Sequence, residues 1–174
     1  METSSAGSRE RLLYEGKFLS LKQRGSWEYV DRRAGAAGVM VVAVTPEGAL
    51  LLVEEDRPPV GRRVVSLPAG LAGDEDAAEE PSQAAARELR EETGYEAEAL
   101  DFLGGGPSSP GLSAETVSFY LARGVRRVGE PGPQEQIRLH AVPPGQIRSW
   151  AREREREGIS IHPLLWAGLY LARL

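Results

Sequence analysis

No cysteine occurs among the 174 residues of the chain. That excludes disulfides, thiolate zinc sites and a cysteine nucleophile, and it fits a reducing compartment. Histidine is almost as scarce, with only His140 and His162, so a site built from several imidazoles is not expected. A metal would be held by oxygen, which points to Mg²⁺, Mn²⁺ or Ca²⁺. Long apolar runs are missing too. The longest, such as Val39–Val44 and Leu50–Val53, fall far short of the roughly 20 residues that span a bilayer. The segment Met1 to Arg11 is polar and has no apolar signal core, so a cytoplasmic protein is expected. Basic charge is also short, with a net charge of −5 and arginines interleaved with acids, as in residues 152–157. Long nucleic acid, which needs a basic stripe, is therefore not the expected substrate.

What is present is the composition of an ordinary globular domain, 41% apolar and 27% charged, long enough for its own core. Residues 1–10 carry no periodicity. Alternating stretches over 12–33, including Phe18–Lys22 and Trp27–Arg32, read as strands of a small sheet. The apolar runs Gly38–Thr45 and Ala49–Glu54, joined by Pro46-Glu-Gly48, read as a hairpin. Residues 57–62 read as a loop, and Val64–Leu67 as a strand that Pro68-Ala-Gly70 ends. An acidic loop over 70–80 leads to a helix that begins at Pro81 and stops at Gly94. Further strands are expected at 97–103, 116–122 and 136–142, with irregular chain at Gly104–Gly111, and helices at 144–157 and 163–173. The division is a tail and β extension over 1–35 and one α/β domain over 36–174.

The helix over 81–93 holds the most informative residues. With Glu88 at 0° and about 100° per residue, Glu92 falls near +40° and Glu91 near −60°, so three carboxylates share one arc. Ala85, Leu89 and Ala86 form a stripe expected to face the core. Stacked like charges disfavour a helix by roughly 0.2–0.5 kcal/mol, and Arg87 and Arg90 lie off the arc and screen it only in part. A divalent cation would reverse that cost. Spacing alone is met equally well by a solvated helix laced with Arg–Glu pairs.

The wider pattern Gly73-x5-Glu79-x7-Arg87-Glu88-Leu89-x-Glu91-Glu92-x-Gly94-Tyr95 resembles the signature of the Nudix hydrolases at every specified position. The flanking Arg57-Pro-Pro-Val-Gly61, Leu67-Pro-Ala-Gly-Leu71 and Ser109-Pro-Gly-Leu-Ser113 are similar to the ADP-ribose pyrophosphatase branch. The resemblance implies an α/β/α sandwich with a mixed sheet and an N-terminal β extension. It also implies Mg²⁺-dependent hydrolysis, with Mn²⁺ as a substitute, of ADP-ribose to AMP and ribose 5-phosphate. GDP-mannose or another nucleoside diphosphate sugar is the alternative substrate, and a nucleotide-sugar sensor that does not cut is a further one.

Carried onto this chain, the resemblance makes Ala69 a metal ligand through its carbonyl, with Glu88 and Glu92 as side-chain ligands and Glu91 assisting. Arg57 would clamp a phosphate, and Gly70, Pro110 and Leu112 would contact substrate. Trp27 would stack on the adenine or pack in a sheet or dimer core. Arg87 would orient the glutamates. The general base would be Glu135, Glu91 or Glu92, with Glu135, on the loop over 129–137, preferred. A homodimer through the N-terminal strands is implied as well. Three departures from the branch stand out. The box is expected to begin at Gly70, so the acidic loop is three residues longer and Gly73 matches in part by chance. Ser66 and Pro133 stand where relatives commonly carry acids.

Overall fold

The computed structural model describes residues 9–32, 37–73, 76, 78–132 and 137–174. In chain order its strands are β1 (Arg11–Glu15), β2 (Leu19–Arg24), β3 (Trp27–Arg32), β4 (Ala37–Ala43), β5 (Leu50–Arg57), β6 (Arg62–Ser66) and β7 (Ala69–Ala72). Helix α1 (Pro81–Thr93) follows, then β8 (Tyr95–Glu96), β9 (Ala99–Pro107), β10 (Thr116–Arg123), β11 (Arg126–Arg127) and β12 (Arg138–Val142). The chain closes with α2 (Ile147–Arg156), β13 (Ser160–Ile161) and α3 (Pro163–Ala172).

Strands β1, β2 and β3 form an antiparallel sheet of their own. The central mixed sheet has the order β7-β4-β10-β9, with β4 and β10 parallel and the other neighbours antiparallel. A second mixed sheet runs β12-β5-β6-β13, with β13 parallel to β6. Alternation along β4 explains its unbroken apolar run. Met40 and Val42 pack with Ile147, Leu165 and Leu169 of α2 and α3, while Val39, Val41 and Ala43 pack with Ala84, Ala85 and Leu89 of α1. A strand covered on both faces reads as continuously apolar because each side of its pleat meets a helix layer. The result is the expected α/β/α sandwich. No helix of the described residues is long and apolar enough to cross a membrane.

Several local expectations are corrected. The turn after β4 does close, with Thr45 N–H bonded to Ala49 O at 2.8 Å and an antiparallel bridge from Val44 to Leu50. The two strands then diverge into different sheets, because β4 takes β7 and β10 as neighbours instead of β5. β6 ends at Ser66, just before Pro68 as expected, but Ala69 and Gly70 then open a new strand, β7, paired with β4 from Met40↔Ala69 to Ala37↔Ala72. The glycines after Leu103 are strand, not irregular chain. β9 runs to Pro107 and accommodates them through a register shift opposite Phe119/Tyr120, and a Cβ at Gly105 would lie 2.6 Å from Val117 O. Short β13, unexpected from its two residues, links the C-terminal helices. Helix α2 buries Ile147 and Ala151 on its inner face.

Candidate active site

Helix α1 starts where Pro81 needs no donor, and Glu80 N–H donates to Gln83 Oε1 at 3.0 Å. It ends at Gly94, whose φ of 74° is left-handed. Its buried arc comprises Ala84, Ala85, Glu88, Leu89, Glu92 and Thr93. Ala86, expected in the core stripe, is exposed, and Ala84 takes its place. The buried arc is centred nearer the carboxylates than the apolar stripe alone indicates, so Glu88 and Glu92 turn inward.

The three carboxylates differ in burial. Glu92 is only 4% exposed, and its Oε2 accepts the N–H of Ala69 at 2.9 Å. Glu88 Oε1 accepts from Arg87 Nη1 at 2.9 Å. Glu91, with half of its side chain exposed, accepts from the same Nη1 at 3.1 Å. Arg87 therefore does more than screen from off the arc. Its long side chain also bonds Glu79 through Nε at 3.0 Å and Nη2 at 3.1 Å, and Leu71 O at 3.2 Å. One guanidinium thus ties the helix, the preceding loop and β7 together. Glu79's carboxyl is held below its ordinary range by the Arg87 hydrogen bonds, and the guanidinium is driven to hold its proton more tightly, foremost by Glu79.

Two glycines set the wall facing this helix. A Cβ at Gly70 would lie 1.9 Å from Glu88 Oε1, so only glycine lets β7 pass the carboxylate. Gly73, three residues on, has a local reason to be glycine. Its φ is 83°, and its N–H donates to Glu79 Oε2 at 3.4 Å. Each glycine has its own physical reason to be there.

Ala69, Gly70, Glu88 and Glu92 line a cleft of about 650 Å³ together with Arg57 at the end of β5. Glu88, Glu92 and the arginine 31 positions upstream of Glu88 thus share one space. Arg57 pairs with Glu55, a further lining residue. Arg32, Glu115, Ser108 and His162 also line the cleft, and sequence reasoning missed all of them. Arg32 Nε lies 2.8 Å from Glu115 Oε1, and Ser108 Oγ donates to Glu115 Oε2 at 3.1 Å. Nothing in their local sequence marks them, because the elements that bring them in are far apart along the chain.

Trp27 and Pro110 do not line this cleft. They meet in a smaller one of about 250 Å³, with Arg24, Tyr29 and Ser113. Strand β3 is docked there, with Val30 N–H bonded to Leu112 O at 2.9 Å and Ala114 N–H to Val30 O at 3.1 Å. Leu112 itself lines neither space and its side chain is exposed. Ser66 is buried and is not a lining residue. Glu135 and Pro133 lie outside the described residues. The segment before them is tied to the end of α1, with Gly132 N–H bonded to Glu91 O at 2.7 Å. His140, read as a strand histidine, sits in β12 with Nε2 2.8 Å from the buried carboxylate of Glu54.

Among the described residues no group of three or more Asp, Glu or His is gathered closely enough to hold a metal. The donors at the cleft are two buried carboxylates one helical turn apart and the backbone of Ala69. They are hard oxygen donors of the kind that hold Mg²⁺ through one or two carboxylates, with solvent and phosphate completing the shell.

A family model described as the NUDIX domain matches residues 35–160. The chain is 44% identical over 93 residues to an ADP-ribose pyrophosphatase of Mycobacterium tuberculosis, covering 53% of this chain and 44% of the relative. Over 98 residues it is 38% identical to a methanol dehydrogenase activator of Bacillus methanolicus, covering 56% and 50%. The chain spans about half the length of these curated relatives. A solved structure described as an ADP compounds hydrolase superposes with a TM-score of 0.74 over 95% of this chain and 90% of its own, at 18% identity. That likeness is one of fold.

Proposed function

Because the chain belongs to the NUDIX domain family, whose hydrolases generally use divalent metal ions, we propose that it hydrolyses the pyrophosphate bond of ADP-ribose or a closely related nucleoside diphosphate sugar, with Mg²⁺. The observation that carries this reading is the single cleft in which buried Glu88 and Glu92, Ala69, Gly70 and the cationic Arg57 line one space. Carboxylates and an arginine lining the same space suit a metal-bound diphosphate and little else. The match to an ADP-ribose pyrophosphatase supports the choice of nucleotide.

Glu88 and Glu92, with the Ala69 carbonyl, are the residues that would hold the metal. When bound, such an ion neutralises diphosphate charge and makes a water more acidic. The chain's own residues do the rest. Arg57 holds a phosphate oxygen by charge-assisted hydrogen bonds. Arg87 fixes the rotamers of Glu88 and Glu91, and Gly70 lets the substrate approach the backbone. The proton of the attacking water passes to a carboxylate, for which Glu135 is preferred, with Glu91 and Glu92 as the others.

Pro110 and Trp27 form the place for the base, with Trp27 stacking on the purine, and Leu112, whose backbone carbonyl docks β3 beside them, is a supporting contact. We divide the chain into an N-terminal extension over 1–35 and a hydrolase domain over 36–174, a reading that the separate β1-β2-β3 sheet supports. Exposed Leu12, Tyr14, Phe18 and Leu19 on that sheet favour a homodimer in which a second copy covers them. A cytoplasmic setting is in keeping with the missing cysteines.

A panel of diphosphate substrates, assayed with Mg²⁺ and with a chelator, tests the reading. ADP-ribose is expected to give AMP and ribose 5-phosphate only in the presence of the metal. Preferred turnover of GDP-mannose would move the substrate, and binding without turnover would make the protein a sensor.

A further inference from the structure

His162 joins the end of β13 to the start of α3, and three contacts define its place. Its N–H donates to Val65 O at 2.8 Å, which pins the residue beside β6. Its Nδ1 accepts the N–H of Leu164 at 3.2 Å, capping the helix. Its ring lines the same cleft as Arg57, Glu88 and Glu92. An imidazole that accepts at Nδ1 keeps its proton on Nε2. The ring is therefore a donor at Nε2, and among the described residues the Leu164 contact is the only hydrogen bond made by the side chain.

Resting on the hydrolase reading above, we propose that His162 is a substrate-binding residue whose Nε2–H donates to the phosphate oxygens held by Arg57. Three features of the surroundings make the acceptor an anion and not a sugar hydroxyl. Arg57 lines the same cleft and supplies it with a fixed positive charge. Pro163 and Leu164 place the first turn of α3 on the cleft wall, and the start of a helix favours negative charge. Glu115, the acid that acts on His162, is itself paired with Arg32 and Ser108. Burial first, and the charge of Arg57 second, hold the imidazole below its usual range, so the ring stays neutral and keeps the Nδ1 acceptor that orients it. His162 thus has two jobs, a cap on one nitrogen and a ligand contact on the other.

These jobs separate by substitution. Asparagine is among the best helix caps but cannot extend a second donor as far as Nε2. Wild type, His162→Asn and His162→Ala are compared by calorimetric binding of ADP in Mg²⁺, by steady-state turnover of ADP-ribose, and by melting temperature. His162→Asn is expected to melt like wild type, to bind ADP about tenfold more weakly, about 1.4 kcal/mol, and to show a matching rise in KM. His162→Ala is expected to share the loss and to melt lower. If His162→Asn matches wild type within about twofold in both binding and KM while His162→Ala melts lower, the residue is only a cap and the proposal is overturned. Wild type that binds ADP but leaves ADP-ribose intact would sink the substrate reading, and the ADP comparison would still judge His162. Wild type that binds no ADP would overturn both.

Discussion

The carboxylate helix and the N-terminal sheet are both made of short, charged sequence, yet the molecule treats them in opposite ways. On α1, Glu88 and Glu92 are buried, one arginine engages three glutamates, and a glycine on the preceding strand leaves no spare volume. On β1-β2-β3 the charges lie outside, in the Glu10–Lys22–Asp31 and Glu10–Arg24 pairs, and the large side chains Tyr14, Phe18 and Trp27 stay exposed, Trp27 at 61%. A site for metal chemistry needs donors whose positions are over-determined. A surface that recognises a base or a second copy needs apolar area still open to water.

The largest effect should come from Glu92→Gln. Its oxygen can still accept from Ala69 N–H, so melting is expected to change little, while kcat/KM for ADP-ribose falls by about 10²-fold or more. Retained activity in a stopped assay would show that α1 is not the metal helix.

Gly70→Ala comes next. The added Cβ cannot coexist with Glu88 at 1.9 Å, so Glu88 must leave its rotamer and its Arg87 bond. A loss of about 1–3 kcal/mol in denaturant unfolding and a clear fall in kcat are expected, and wild-type kinetics would mean that the wall is looser than its geometry implies.

Glu79 sharpens the comparison through pH. Its carboxyl lies below the ordinary value of 4.5 in the folded protein, foremost through hydrogen bonds from Arg87. The stability it contributes is therefore fully present above about pH 4.5 and is lost as pH falls through the depressed folded value. Glu79→Gln should be less stable than wild type at neutral pH, with the gap closing in acid. Parallel unfolding curves at all pH values would contradict this.

On the other region the effects should be smaller. Trp27→Ala is expected to leave melting unchanged and to raise KM for ADP-ribose severalfold, as loss of about 1–3 kcal/mol of base stacking would. Phe18→Ser should lower the dimer fraction in sedimentation at micromolar concentration without altering the fold of the monomer.

How far these regions could be read in advance differs for the same physical reason. The helix limits were legible from Pro81 and Gly94, since both act locally through the backbone. Glu88 and Glu92 were placed on one face by helical period alone. The sharing of one Arg87 nitrogen by Glu88 and Glu91 was not legible, because it depends on the guanidinium of Arg87 also reaching Glu79 across a loop. The hairpin after β4 was read correctly at its turn and wrongly in its pairing, since turn residues set local geometry while the choice of strand neighbour is made by the whole sheet. The glycines after Leu103 looked like loop because their lack of side chains is a local signal, and tight passage against Val117 O is not.

The sequence by itself determined the carboxylate helix, which rests on periodicity and on backbone chemistry within a few residues, and it carried the motif whose family resemblance implied the α/β/α layers. Only the tertiary structure decided that Gly70 and Gly73 each have a distinct reason to be glycine and that Trp27 and Pro110 meet in a cleft of their own. It alone brought His162, 105 positions beyond Arg57, into the same space. Contacts between distant segments follow from how layers pack, and no local pattern encodes them.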